Sequence, residues 1–309
     1  NFMMISQFWA FANDLYTEEQ GKRLFPVIGV GATAGALAGA WLTALVFEKM
    51  RDSSLLLLAG ALLVVFVFLL VLINRREKHV SNEEAQKAEE TLSKEGGFQL
   101  VLRNRYLLLI AFHVLLLNLV NTVGEYILRS LFQEAANNAV LAGTILGSEK
   151  SAFIRTMYAE FYGWVNLFGF LIQSLLVGRF IKYLGVRGSL FIGPLVSLAA
   201  YGTSAFQPVI NVVRSMKTAE NSNDYSTNNT IRAALFLITS REVKYKAKAA
   251  IDTFFARTGD ALQALVVFIG TRLSLALPAF AIVNVVFISV WLLVCGGIVK
   301  EHKRQSKES

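Results

Sequence analysis

The run Leu55-Leu56-Leu57-Leu58-Ala59-Gly60-Ala61-Leu62-Leu63-Val64-Val65-Phe66-Val67-Phe68-Leu69-Leu70-Val71-Leu72-Ile73 carries no charge and stops at Asn74-Arg75-Arg76-Glu77-Lys78. An apolar stretch of about 20 residues matches a bilayer core roughly 30 Å thick, so this run reads as a transmembrane helix. Outward from it, similar blocks recur. The expected spans are 24–47, 55–74, 106–127, 157–180, 187–204, 208–224, 249–271 and 278–298. The chain opens with Asn1-Phe2-Met3-Met4, already inside an apolar run and without a basic start. Residues 1–11 read as the tail of a further helix, and the sequence as N-terminally incomplete.

The composition agrees. Of 309 residues, 54% are hydrophobic, and the mean hydropathy of +0.50 leaves too little polar surface for a water-soluble domain of this length. Cys295 is the single cysteine, so neither a disulfide framework nor a thiolate metal cluster is expected. His79, His113 and His302 lie far apart in the sequence. No metal site, cofactor or nucleophile–base pair emerges, and an enzyme is not expected. The net charge of +8 fits cytoplasmic loops rich in Lys and Arg better than a nucleic-acid partner.

Placing the polar segment 75–105 in the cytoplasm and letting the spans alternate tests that idea. Cytoplasmic segments then hold 21 Lys and Arg residues and outer segments hold six; Arg214, Lys217 and Arg257 stay inside spans. This bias sets the orientation and leaves the C-terminus in the cytoplasm. Six spans follow the 75–105 segment. The expected fold is an all-α integral membrane protein, a major-facilitator-like twelve-helix bundle of two six-helix halves, with about nine spans present. Residues 1–74 are the remainder of the N-terminal half, 75–105 a cytoplasmic linker, 106–299 the C-terminal half and 300–309 a cytoplasmic tail. A faint echo, Asn13-Asp14-Leu15-Tyr16 against Asn223-Asp224-Tyr225-Ser226, fits a repeat. Gly31, Gly35 and Gly39 recur every fourth residue, which suits close helix packing.

Polar residues inside the spans point to function. Span 208–224 carries Arg214, Lys217, Glu220, Asn221 and Asp224, and the three- and four-residue spacing of Arg214, Lys217, Asn221 and Asp224 puts them on one face. A charge at the bilayer centre costs about 2.5 kcal/mol or more, so the face either lines a wet cavity or pairs internally, Lys217 with Glu220 or Asp224. Span 249–271 holds Asp252, Arg257, Asp260 and Gln263, with Arg257 and Asp260 placed for a local ion pair. Asn118, Asn121 and Glu125 share a face of span 106–127, and Glu160, Trp164 and Asn166 belong to span 157–180. His113, alone among leucines, reads as a packing histidine. Four polar faces together favour a central cavity.

Gly178-Arg179-Phe180-Ile181-Lys182-Tyr183-Leu184-Gly185-Val186-Arg187-Gly188 resembles the loop between the second and third helices of a major-facilitator half. It reads either as a topogenic loop or, with Lys22 and Arg23, as a cytoplasmic gate built from Lys22, Arg23, Arg179 and Lys182.

The string from Phe8 to Gly29, Phe-Trp-Ala-Phe-Ala-Asn-Asp-Leu-Tyr-Thr-Glu-Glu-Gln-Gly-Lys-Arg-Leu-Phe-Pro-Val-Ile-Gly, resembles the signature of the ATP/ADP translocase family. Lys217 with Glu220, Tyr225-Ser226, Arg241-Glu242 and the segment Lys244 to Asp252 are similar to further family segments. The resemblance implies a major-facilitator-like fold and nucleotide exchange by alternating access. It also marks two departures. Where the exchangers carry Glu and then Lys after Asn118-Leu119-Val120, this chain has Asn121 and Glu125. Where they carry Lys after Arg257-x-Gly259, it has Asp260.

The expected function is therefore a secondary transporter for a small, nucleotide-like anion in the cell inner membrane. Its expected substrate residues are Arg214, Lys217, Glu220, Asp224, Arg257, Asp260, Asn121, Glu125 and Trp164. Lipids are its surroundings, with a larger membrane complex as a further partner. The other reading is a non-transporting subunit acting as a scaffold or lipid-handling module.

Overall fold

The computed structural model describes residues 2–47, 57, 60–69, 71–72, 96–240 and 242–308. All described regular structure is helical. The helices are α1 (Phe2–Leu15), α2 (Glu18–Phe47), α3 (Gly60–Leu69), α4 (Gly97–Arg103), α5 (Arg105–Leu141), α6 (Lys150–Ile172), α7 (Gly178–Ser189), α8 (Ile192–Phe206), α9 (Ile210–Asn223), α10 (Asn229–Ala234), α11 (Lys248–Ala250), α12 (Ala256–Arg272) and α13 (Leu277–Glu308). Wide π-type turns at Gln173–Val177, Asp224–Asn228, Val243–Ala247 and Ile251–Phe255 join α6 to α7, α9 to α10, and the chain through α11 into α12.

Residues 1–34 and 95–309 form one compact unit and 35–94 a second, the division falling within α2. Most of the expected linker lies outside the described residues. In the second unit α3 exposes Leu62, Val64 and Phe68, the outward apolar surface that lipid tolerates and water does not.

In the first unit α5 is the central element. It packs against α12 and α13; α8 joins α13 to α9, and α9 lies against both α6 and α5. Ile110, Val114, Val120, Val123, Leu128 and Phe132 of α5 are buried. Outward faces of the peripheral helices are just as apolar: Leu265, Phe268 and Ile269 on α12, and Val286, Val290 and Leu293 on α13, are exposed. Arg105–Leu141, Gly147–Ser189 and Leu277–Ser306 are each long and apolar enough to cross a membrane, with 18-residue stretches of mean hydropathy 2.1, 1.5 and 2.5. The chain is a multi-pass membrane protein.

Local chemistry sets the ends. Asn104 is extended and its side-chain oxygen accepts from the amides of Tyr106 and Leu107, capping α5 after the break behind α4. At 37 residues α5 is about 55 Å long, well beyond the expected 106–127. No proline interrupts it before the turn that follows Ala142. Within α7, Gly185 adopts φ +67°, a conformation open to glycine, and bends the expected loop motif into two short helical pieces. His113 accepts a hydrogen bond from the indole of Trp291 at 2.8 Å, tying α5 to α13 as a packing histidine.

Candidate functional site

The polar face of α5 meets the polar face of α9 inside the first unit. The ammonium of Lys217 donates to Asn121 Oδ1 at 2.6 Å, to the Asn121 carbonyl at 3.0 Å and to Glu220 Oε2 at 2.7 Å, and lies 3.8 Å from Glu125 Oε1. Its side chain is only 2% exposed. Glu220 also accepts from Tyr201 of α8 at 2.7 Å and Ser197 at 3.2 Å. Asn221 donates to Glu125 at 2.9 Å, and Asp224 accepts from Asn121 at 3.4 Å and Asn228 at 3.3 Å. One buried ammonium thus lies within 4 Å of two carboxylates, Glu220 and Glu125, and is linked to a third, Asp224, through the side chain of Asn121. Gly124 allows this approach: a Cβ there would overlap the Tyr201 hydroxyl and crowd the Lys217 ammonium.

Five expected residues, Lys217, Glu220, Asp224, Asn121 and Glu125, therefore come together in one network. The others lie elsewhere. Arg214 is a turn away on α9, paired with Glu160 of α6 at 3.3 Å, and both are partly exposed. Arg257 and Asp260 form a local pair at 3.0 Å on α12. Trp164 is half exposed and stacks on Phe168 of its own helix, with ring centroids 5.6 Å apart. Among the expected gate residues, Lys22 pairs with Glu18 one turn back, Arg23 and Arg179 are exposed, and Lys182 lies 5.5 Å over the Tyr183 ring.

A second polar cluster joins α1 to the segment leading into α12. Asp252 Oδ2 accepts from Lys248 at 2.6 Å and from Ser6 at 3.0 Å; Arg232 Nε is 3.9 Å from Oδ1. Lys248 is 2% exposed, and its ammonium lies 4.8 Å over the Phe236 ring. Around these groups is a cavity of about 40 Å³ lined also by Trp9, Asn118 and Asn229. Nearby, Lys244 donates to the Asn13 carbonyl at 2.7 Å and Tyr245 to Asp14 at 3.2 Å. Gln173, held in a wide turn, donates to the Pro26 carbonyl at 2.9 Å and accepts from Thr230 at 3.1 Å. The Phe8–Gly29 stretch is thus fastened to the segments around 173 and 244–252.

Sequence reasoning missed Tyr201, Ser197, Ser6 and Arg232 as members of these networks. Isolated Tyr and Ser in apolar helices give no periodic signal. Lys248 and Asp252 stand four apart, which a helical reading could have paired.

Buried charges in apolar helices, arranged around a lysine and fastened to an N-terminal segment, are what a family of membrane carriers would build. A family model described as TLC ATP/ADP transporter matches residues 1–302, and the chain belongs to that family. The chain is 24% identical over 328 residues to ADP,ATP carrier protein 1 of Chlamydia muridarum, covering 94% of this chain and 60% of the relative. It is 23% identical over 355 residues to ADP,ATP carrier protein 1 of Chlamydia pneumoniae, with 98% and 65% covered. With ADP,ATP carrier protein 4 of Rickettsia bellii it shares 23% identity over 345 residues, with 98% and 64% covered. The chain spans less than two thirds of the length of these curated relatives. No solved structure matches it.

Proposed function

We propose that this chain is the larger part of a secondary transporter that exchanges nucleotide-like anions by alternating access. Supporting the substrate class are the family and the relatives named as ADP,ATP carriers. The observation that carries the transport reading is the buried charge of Lys217 beside Glu125 and Glu220. Ionised side chains are expensive inside apolar helices and mark substrate or ion pathways.

In this reading the substrate residues are Arg214, Lys217, Glu220, Asp224, Arg257, Asp260, Asn121, Glu125 and Trp164. Lys217 is held by protein acceptors in the resting state, and an incoming anion exchanges with them. That makes binding and opening one event: the substrate supplies the acceptors that Glu220 and Asn121 give up. Arg214 and Arg257, each paired with a carboxylate, switch in the same way. Trp164 offers a stacking surface to a base. Lys22, Arg23, Arg179 and Lys182 form the cytoplasmic gate. The whole protein is a twelve-helix bundle of two halves in the inner membrane, with the C-terminus in the cytoplasm.

A thermal-shift screen of the purified full-length protein tests the substrate class. A bound ligand stabilises by mass action, so ADP and ATP should raise Tm in a concentration-dependent way while adenosine does not. Equal shifts with adenosine and ADP would remove the anion from the account.

A further inference from the structure

The Lys217 network and the cavity beside α1 differ in one respect. Around Lys217 the ammonium is surrounded by acceptors. Around the cavity, hydrogen-bond donors outnumber acceptors. Arg232 makes no hydrogen bond to any described residue; its nearest acidic oxygen, Asp252 Oδ1, is 3.9 Å from Nε. The Asn229 side chain likewise has no hydrogen-bond partner among the described residues. Lys248 has one of its three protons committed, to Asp252. The two cations, Arg232 and Lys248, both lie within 4 Å of the same carboxylate, Asp252, in a largely buried place. On the acceptor side, Asp252 Oδ1 is buried without a hydrogen-bond partner, and Asn118, whose amide donates to the Val114 carbonyl, has its oxygen unused.

From this imbalance we infer a phosphoryl-binding subsite formed by Arg232, Lys248 and Asn229, closed over by Ser6 and Trp9 of α1. This inference rests on the transporter reading only for its source of phosphate; the pocket stands on its own geometry. A phosphate-type oxyanion supplies the acceptors that Arg232, Asn229 and Lys248 lack, and its negative charge suits two cationic donors that face one pocket. Its protonated oxygen gives a donor to Asp252 Oδ1, which a halide cannot do. The cavity of about 40 Å³ takes a phosphoryl head and is too small for a nucleoside, so a nucleotide would enter phosphate first. The wall contributed by Ser6 and Trp9 couples occupancy to the position of α1: Ser6 is bonded to the same carboxylate oxygen that holds Lys248.

The test is equilibrium binding of two probes, inorganic phosphate and ADP, to the purified full-length protein, to Arg232→Gln and to Asn229→Ala. Neither altered side chain has a hydrogen bond to lose within the described protein, so ligand-free Tm should barely move. Removing a charged donor should weaken binding about tenfold or more in Arg232→Gln, and a neutral donor less in Asn229→Ala. Loss for both probes establishes the subsite. Phosphate binding that depends on Arg232, with no ADP binding in the wild type, keeps the subsite and defeats the nucleotide reading. ADP binding unchanged in both variants overturns the subsite and leaves the transporter reading standing. A wild-type protein that binds neither probe also overturns it. Should Arg232→Gln fail to fold, the Asn229→Ala comparison decides alone.

Discussion

The Lys217 ammonium lies 2.7 Å from Glu220 Oε2, one turn along the same helix, and both side chains are buried. This pair is local in sequence but is completed from two other helices, by Asn121 and Glu125 of α5 and Tyr201 of α8. Its chemistry sets the first expectation.

Removing one partner of a buried pair leaves an uncompensated charge, at about 3–5 kcal/mol. Lys217→Met should therefore lower Tm strongly in purified protein and abolish exchange. The double change Lys217→Met with Glu220→Gln removes both charges and keeps an acceptor for Tyr201. It should recover most of the lost stability and none of the exchange. Recovery of exchange in the double variant would show that Lys217 is a structural strut.

Arg214 and Glu160 are only partly buried, 33% and 57% exposed, so their pair should contribute about 0–1 kcal/mol. Arg214→Ala should leave Tm within a degree or two and still weaken substrate affinity. Arg214→Lys should keep part of the affinity, because a point charge replaces a planar two-pronged donor. Saturation binding of ADP to the three proteins checks this.

Asp260 faces Arg257 at 3.0 Å and neutralises it. Asp260→Lys would turn that local pair into two adjacent cations. Affinity for ATP should then rise relative to AMP, and the gain should shrink with added salt. An unchanged ATP-to-AMP ratio would place α12 outside the substrate path.

Gly124 leaves no room for a side chain beneath Tyr201. Gly124→Ala should push Tyr201 off Glu220 and cost about 1–3 kcal/mol through overpacking. Thermal unfolding without ligand reads this directly, and a Tm equal to wild type would mean that the α5–α8 contact is loose.

Much of the helix pattern was legible, because apolar blocks and their polar faces are local signals. The shared face of Asn118, Asn121 and Glu125, and the three-residue spacings Lys217 to Glu220 and Arg257 to Asp260, were written in the periodicity of single helices. Arg232 and Lys248 were not legible as a cluster. In sequence they look like the basic residues of a cytoplasmic loop. The wide turns after α9 and before α12 continue the helices on either side of the turns at 235–240 and carry Lys248 to full burial against α1. A contact between residue 6 and residue 252 has no sequence period to reveal it. The length of α5 was also hidden, since its last turns are polar and the hydropathy signal ends before the helix does.

Nucleotide counter-exchange across a sealed bilayer tests the central claim most directly. The full-length protein, reconstituted into vesicles loaded with unlabelled ADP, is given labelled ATP outside. The account predicts saturable uptake that requires internal nucleotide, is competed by external ADP and disappears in the Lys217→Met protein. Uptake no greater than in protein-free vesicles, from correctly folded and inserted protein, would contradict it.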